Sequence, residues 1–205
     1  MKDSGEKTNL IITGVGGQGN VLSSQLIGQA LVQKGFFVTI GETYGASQRG
    51  GSVMSHIRIS SQKQLSPLIP KGKADIVLGL EPVEALRVLT VYGNPQTVVV
   101  ANTRPIYPVD VTGGNEEYPD EDVLKKALID LSQKVYMLPA TDVALGMGSP
   151  ILGNMIMIGA LLHLGLFPLR PEEFRETLAR NFRDQRLETN LQALQEGERI
   201  IRPFL

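Results

Sequence analysis

The sequence predicts an α/β protein with a doubly wound, mostly parallel sheet, and three observations carry this prediction. Short apolar runs typical of buried strands alternate with stretches whose apolar residues recur at the helical period. A glycine-rich turn, residues 14–19, separates the first apolar run from the first helical pattern. The pattern after residue 150 is helical. We therefore expect a Rossmann-like core with a helical C-terminal appendage.

The elements follow in order along the chain. The first strand begins at Asn9, and the helix after the glycine turn ends near Gly35. Further strands are expected at 36–40, 52–60, 75–80, 97–101 and 135–138, and further helices at 83–89, 120–132, from 171 onward and at 187–201. Residues 52–60 alternate in polarity, which predicts a half-exposed strand that is not parallel to the first two. Residues 104–119 are expected to form a long polar loop.

Composition limits the classes of function. The chain has 205 residues, 42% of them hydrophobic, which is enough for one domain spanning 1–205 with its core at 9–197. A net charge of -1 means that the chain has no excess of positive charge for binding nucleic acid or an anionic membrane. The absence of cysteine excludes iron–sulfur ligands, disulfides and a cysteine nucleophile on this chain, and fits a cytoplasmic location. The longest apolar run, 151–167, is interrupted by Asn154 and His163, so we expect no membrane span.

The glycine-rich turn is the first candidate for a binding site. Gly14, Gly16 and Gly19 have the spacing G-x-G-x-x-G, which lets a helix N-terminus approach an anion closely. The amides of Gly17, Gln18 and Gly19 are expected to face a phosphate, a carboxylate or water. A turn of this kind can also serve only to pack a helix on a sheet. A Walker phosphate loop is excluded, because Asn20 and Val21 occupy the positions of its Lys and Ser/Thr.

A second glycine-flanked loop begins at Tyr44 and includes Arg49 and Gly50. Arg49 is either a fixed fork for an anionic group, with Gly50 allowing close approach, or a surface arginine that pairs with Glu42. We expect this loop and the glycine turn to lie side by side at the carboxyl ends of neighbouring strands, forming one pocket for an anion. Glu42 could also accept hydrogen bonds from a ribose, as in a dinucleotide-binding module or an NAD-dependent reductase.

Other catalytic arrangements have little support. The two histidines, His56 and His163, are far apart in sequence, and His56 is expected to be half-buried and His163 to lie in the core or at an interface. A serine-hydrolase elbow around Ser47 would need glycine at position 49, which is Arg. The apolar helix 153–164 is buried either within the domain or against another subunit.

Several motifs together resemble a known family. The run Gly-Val-Gly-Gly-Gln-Gly at 14–19 is followed by Tyr44-Gly45, by Arg49-Gly50-Gly51, by Pro139-Ala140-Thr141-Asp142 and by Asn154-Met155. In this order they resemble the gamma subunit or domain of 2-oxoacid:ferredoxin oxidoreductases, either the small subunit of the indolepyruvate enzyme or the gamma subunit of the pyruvate and ketoisovalerate enzymes. The resemblance extends from Asn9 to about Gly197.

This resemblance implies a subunit that is inactive alone. In the family, a 2-oxoacid is oxidatively decarboxylated on thiamine diphosphate and Mg held by partner regions, electrons reach ferredoxin through iron–sulfur clusters, and the acyl group passes to coenzyme A. The gamma region packs beside that site. The resemblance therefore implies a large partner subunit, an indirect link to ferredoxin, a possible homodimer when isolated, and no catalytic residue here. The expected cofactor-binding residues are Gly14, Gly16, Gly17, Gln18, Gly19, Glu42, Tyr44, Arg49 and Gly50.

Overall fold

The computed structural model describes residues 7–45, 51–107, 109–114 and 117–205. Its core is a six-stranded sheet in the order β2-β3-β1-β4-β5-β6. The strands are β1 Lys7–Val15, β2 Phe37–Tyr44, β3 Ser52–Ser60, β4 Ile76–Gly79, β5 Val98–Asn102 and β6 Lys134–Leu138. The helices are α1 Asn20–Gln33, α2 Pro82–Tyr92, α3 Val109–Thr112, α4 Glu121–Asp130, α5 Ala140–Gly146, α6 Gly153–His163, α7 Pro171–Asn181 and α8 Asp184–Ile201, with 3-10 turns at Pro150–Leu152 and Arg202–Phe204.

The predicted fold class is confirmed, because five strands run in one direction and only β3 opposes them. Strand β3 is antiparallel to both β1 and β2, whereas β4, β5 and β6 continue from β1 in parallel. Helices α1, α6 and α8 share one hydrophobic cluster with the sheet, and α2 and α4 share a second one. Since alternate strand residues face opposite ways, Leu10 belongs to the first cluster and Ile11 to the second.

The position of β3 corrects three expectations. It lies between β1 and β2, so those two strands are not neighbours. Because β3 is paired on both sides, it is buried from Ser55 to Ser60 rather than half-exposed. His56 is correspondingly fully buried, not half-buried. Burial and the nearby Arg58 guanidinium lower the pKa of His56.

Strand β2 is also longer than its apolar pattern suggests. It continues to Tyr44 because it pairs with β3 along its whole length, with Tyr44 opposite Val53. Glu42 and Tyr44 therefore belong to a strand rather than to the loop after it. The predicted long loop contains the one-turn helix α3.

Helix α6 is buried within the chain itself. Its residues from Gly153 to Leu162 are all buried, and α8 crosses over it. The two helices meet at Gly159 and Gly197, where an added Cβ would contact the backbone of the other helix. His163 joins the same pair of helices, since its Nε2 lies 3.1 Å from Glu198 Oε2. In the described part of the chain, no helix is long and apolar enough to span a membrane.

Candidate functional site

The glycine turn connects β1 to α1 in a conformation that requires glycine at two positions. Gly17 has a φ of 95° and Gly19, the N-cap of α1, has a φ of 83°. Both lie in the left-handed region that side chains with a Cβ disfavour. Gly14 is needed for space instead, because an added Cβ would contact the side chains of Gln18 and Leu80.

Gln18 braces this turn from inside. Its Oε1 accepts a hydrogen bond from the Val15 amide at 2.8 Å, and its Nε2 donates to the Leu80 carbonyl at 2.8 Å. The side chain thereby ties the end of β1 to the residue after β4. Both ends of the amide are engaged, so Gln18 positions the turn, with one N–H donor and one acceptor lone pair left over.

Two of the four amides in the turn are also engaged. The Gly16 amide donates to the Gly51 carbonyl at 3.0 Å, and the Gln18 amide donates to the Val15 carbonyl at 3.3 Å. The amides of Gly17 and Gly19 have no hydrogen-bond acceptor among the residues that the structure describes. Gly17 and Gly19 are therefore the two amide donors that the turn can present to an anion.

The two glycine corners converge, although β3 separates their strands. The Gly16–Gly51 hydrogen bond joins them, and a groove of about 530 Å³ lies between them. We call it the glycine groove; its lining residues are Val15, Gly16, Gly17, Gly19, Asn20, Val21, Tyr44, Gly45, Gly51, Ser52 and Val53. Tyr44 is 64% exposed at this groove. Arg49 and Gly50, both predicted for this site, lie outside the described residues.

Glu42 has a different place from the one expected. Its Oε1 accepts a hydrogen bond from Ser24 Oγ at 2.9 Å, and its Oε2 accepts one from Ser55 Oγ at 2.7 Å. These contacts link β2 to α1 and β3. Glu42 lines neither the glycine groove nor the second cavity beside the turn, which is described below. The carboxylate links three elements, which argues against its role as the partner of a ribose.

A second cavity, of about 440 Å³, lies on the other side of the same turn. We call it the crevice cavity, since it opens at the carboxyl ends of β1, β4 and β5. It is lined by Val15, Gly16, Gly17, Gln18, Leu80, Asn102, Arg104, Pro105, Ile106, Thr141, Pro150, Ile151, Gly153, Asn154 and Met157. Sequence reasoning missed this cavity, because most of its lining comes from distant parts of the chain. The signals were the glycine turn, whose Gly16, Gly17 and Gln18 also line this cavity, and the presence of Thr141 and Asn154 in the motifs that suggested the family.

Asn102 holds the walls of the crevice cavity together. Its Nδ2 donates to Thr141 Oγ1 at 2.8 Å and to the Leu80 carbonyl at 3.2 Å, and its Oδ1 accepts from the Thr141 amide at 3.2 Å. One buried amide thus joins the ends of β4 and β5 to the start of α5. Asn102 is 2% exposed, so these bonds cannot be replaced by water without local opening.

Glu81 holds the outer wall of the same cavity. Its Oε2 caps α2 by accepting from the Glu84 amide at 2.8 Å, and its Oε1 accepts from the Tyr118 hydroxyl and from the Ile106 amide. Burial raises the pKa of the Glu81 carboxyl, while the hydrogen bonds from Tyr118, Glu84 and Ile106 oppose that shift. Burial and the adjacent Glu81 also raise the pKa of Tyr118. The pair fixes residues 104–106 beside the cavity.

With this geometry described, comparison with known proteins decides the family. Residues 9–200 match the family described as pyruvate ferredoxin/flavodoxin oxidoreductase. The chain belongs to this family. The predicted resemblance is therefore confirmed over almost the whole chain.

Relatives of similar length support the assignment. The chain is 36% identical to the indolepyruvate oxidoreductase subunit IorB of Archaeoglobus fulgidus, over 93% of this chain and 94% of that protein. It is 36% identical to the IorB subunit of Thermococcus kodakarensis, over 96% and 97% of the two chains. It is 26% identical to the pyruvate synthase subunit PorC of Thermotoga maritima, over 90% and 89%.

Solved structures share the fold. The 2-oxoglutarate:ferredoxin oxidoreductase from Magnetococcus marinus, with 2-oxoglutarate, coenzyme A and succinyl-CoA bound, superposes with a TM-score of 0.73 at 24% identity, over 97% of this chain and 31% of that one. The pyruvate oxidoreductase subunit PORC of Thermotoga maritima gives a TM-score of 0.71 at 21% identity, over 95% and 97%. In the first of these the matching region is about a third of a longer chain, whereas in the second it is nearly the whole subunit.

Proposed function

We propose that this chain is the small, cluster-free subunit of a 2-oxoacid:ferredoxin oxidoreductase. The full-length relationship to the IorB subunits, at 36% identity, carries the proposal. It favours an aromatic 2-oxoacid of the indolepyruvate class as the substrate of the complex. The chain would form one domain, 1–205, and work in a cytoplasmic complex with a large partner subunit.

The partner must supply the redox and decarboxylation chemistry. This chain has no cysteine for an iron–sulfur cluster, and no group of three or more His, Asp or Glu in the described residues could hold a metal ion. We therefore assign thiamine diphosphate, its Mg and the clusters to the large subunit, with ferredoxin contacting that subunit. No residue of this chain is proposed as a catalytic acid, base or nucleophile.

The glycine groove is the part that we assign to the composite site. The amides of Gly17 and Gly19, at the positive end of α1, are suited to an anionic group. Tyr44 lies exposed on the opposite wall, and Arg49 and Gly50 follow it closely in sequence. Coenzyme A, the cosubstrate, carries phosphate groups of the kind this groove could bind, and we propose that the groove borders its approach.

Reconstitution with the large subunit tests the assignment to a complex. We expect 2-oxoacid-dependent reduction of ferredoxin only when both chains are present, and indolepyruvate to be used with the highest kcat/KM among indolepyruvate, pyruvate, ketoisovalerate and 2-oxoglutarate. Turnover by this chain alone would contradict the proposal. A different preferred 2-oxoacid would contradict only the substrate class.

Substitutions in the reconstituted complex test the groove. We expect Arg49→Ala and Tyr44→Ala each to raise the KM for coenzyme A by about tenfold, the size expected for one charge-assisted hydrogen bond or one packed aromatic contact, with the KM for the 2-oxoacid unchanged. Arg180→Ala, on the exposed surface of α7, is the matched control. Unchanged kinetics in both groove variants would leave the glycine turn only a packing role.

The dinucleotide alternative is weakened by the contacts of Glu42. Titration of the isolated chain with NADH, followed by nicotinamide fluorescence, checks it directly. We expect no saturable binding in the micromolar range; such binding would revive the alternative of an NAD-dependent reductase.

A further inference from the structure

The crevice cavity occupies the place in the sheet where ligands of open α/β proteins usually bind. After β1 the chain passes through α1 and builds the half of the sheet that contains β2 and β3. It then adds β4, β5 and β6 on the opposite side of β1. The gap between the carboxyl ends of β1 and β4 is therefore the switch point of the topology. The turn 15–18 and Leu80 line the crevice cavity at this gap.

Asn154 provides a polar group that the fold does not use. Its side chain lies against Gly19, where an added Cβ would contact its Nδ2, and the residue is only 7% exposed. No hydrogen bond joins its amide to any of the described residues, although it lines the crevice cavity. The amide is accessible through the cavity rather than sealed from solvent, so a ligand in the cavity would complete its hydrogen bonding.

Arg104 supplies a second donor group to the same space. Arg104 lies at the rim, where its Nη1 is 2.8 Å from Asp142 Oδ1. A guanidinium carries five N–H donors, so this fork keeps donors for an anion after pairing with Asp142.

Apart from Gln18, Asn102 and Thr141, whose side chains are hydrogen-bonded to the protein, the other side chains of the lining are apolar. Leu80, Ile106, Ile151 and Met157 contribute aliphatic or thioether surface, and Ile106 and Ile151 are 40% and 49% exposed at its edge. Because Arg104, the one cation among the described lining residues, is already shared with Asp142, the cavity suits a single negative charge better than a phosphate dianion. Its apolar walls would cover a compact hydrocarbon group attached to that charge.

We propose that the crevice cavity binds a small monocarboxylate with a compact apolar body. The carboxylate lies between the Asn154 side chain and Arg104, and the apolar part packs on Leu80, Ile151 and Met157. This site lies across the glycine turn from the glycine groove and does not depend on the function proposed above, since binding is measured on this chain alone.

Calorimetric titration of the purified full-length chain with phenylacetate tests the site. We expect saturable one-to-one binding with a Kd of about 0.1–1 mM, the range expected for a small ligand with one ion pair and one apolar contact. Phenylacetamide, which has the same shape without the charge, and inorganic phosphate should each bind at least about tenfold more weakly.

Matched variants locate the binding. Arg104→Gln and Asn154→Leu should each weaken phenylacetate binding by about tenfold, the loss expected for one hydrogen bond to a charged group. Arg199→Gln, which breaks a comparable surface ion pair on α8, and Tyr44→Ala in the glycine groove should leave the Kd unchanged. Circular dichroism of each variant establishes that it is folded, and Arg104→Gln alone decides the matter if Asn154→Leu does not fold.

Three results would overturn the proposal. One is the absence of saturable phenylacetate binding to the wild-type chain. Another is equal affinity for phenylacetamide, which would show that no anion site exists. The third is loss of binding in Tyr44→Ala but not in Arg104→Gln, which would place the ligand in the glycine groove instead.

Discussion

The glycine groove and the crevice cavity, which lie beside the same glycine turn, are built by different means. The glycine groove lies beside the antiparallel half of the sheet, and its polar groups are largely backbone amides and carbonyls of glycine-bearing corners. The crevice cavity lies beside the parallel half and depends on the side chains of Asn102, Arg104, Thr141 and Asn154. A backbone-built groove leaves a local motif in the sequence, whereas a side-chain-built cavity leaves scattered polar residues that only the fold brings together.

Gly14→Ala should disrupt both the glycine groove and the crevice cavity, and it should cause the largest loss in the free energy of unfolding. The added methyl group would displace Gln18, which holds the turn to Val15 and Leu80. Steric strain and the loss of two hydrogen bonds should together cost about 3–4 kcal/mol of unfolding free energy. Urea unfolding followed by circular dichroism measures this, since the chain has no tryptophan.

Gly146→Ala is the control for this prediction. Gly146 ends α5 with no atom near the position of an added Cβ. The substitution should be neutral or slightly stabilising, because Ala favours helix over Gly. Equal loss of stability in the two variants would mean that Gly14 is not a point of close packing.

Asn102→Leu should distinguish the role of the crevice cavity from that of the glycine groove, because it affects only the crevice cavity. The substitution removes the bonds to Leu80 and Thr141 and leaves the Thr141 amide without its acceptor, whereas the Leu80 carbonyl keeps the bond from Gln18. We expect a loss of about 2–3 kcal/mol in the same unfolding measurement. In the reconstituted complex, the KM for coenzyme A should not change.

Asn190→Leu serves as the comparison for Asn102. The Asn190 amide makes one exposed hydrogen bond to the Arg186 carbonyl at 2.7 Å within α8. Replacing it should change the unfolding free energy by less than about 0.5 kcal/mol. A KM effect of Asn102→Leu on coenzyme A would contradict the assignment of that cosubstrate to the glycine groove.

These contrasts explain how far the sequence alone could reach. Hydrophobic periodicity predicts most strands and helices, and the glycine spacing predicts the turn and its neighbouring loop. The insertion of β3 between β1 and β2 could not be predicted, because strand order is decided by pairing between distant segments. The distance of Glu42 from the glycine turn in the sequence is compatible with a ribose partner. In the folded chain, however, its carboxylate accepts hydrogen bonds from Ser24 and Ser55. Asn102 gives no local pattern, since its hydrogen-bond partners come from other elements.

Gly17→Ala should have a smaller effect than the changes above. An added Cβ at Gly17 has no atom within 4 Å, so the cost is only the backbone strain at its positive φ. That strain is worth about 1–2 kcal/mol in the unfolding measurement. Gly19→Ala should cost more, because it adds a contact with Asn154 to the same strain. The reverse order would contradict the contact between α6 and the glycine turn.

The smallest expected effect is a pH dependence that comes from Glu81. The folded state raises the pKa of this carboxyl above its ordinary value of 4.5, so the folded chain holds the proton to higher pH than the unfolded chain does. Between pH 4.5 and the raised pKa, the folded state binds more protons than the unfolded state does. The contribution of Glu81 to the free energy of unfolding therefore falls as the pH rises through this range. The effect is small because hydrogen bonds from Tyr118, Glu84 and Ile106 offset part of the burial.

Urea unfolding between pH 4.5 and pH 8 isolates this contribution by comparing variants. Glu81→Gln should flatten the decline, since the amide does not titrate. Tyr118→Phe should steepen it, because the hydroxyl that opposes the shift in the pKa of Glu81 is removed. An unchanged slope in Glu81→Gln would mean that this buried carboxyl titrates alike in both states. The wall of the crevice cavity would then be held by the geometry of the loop rather than by a carboxyl whose protonation is coupled to folding.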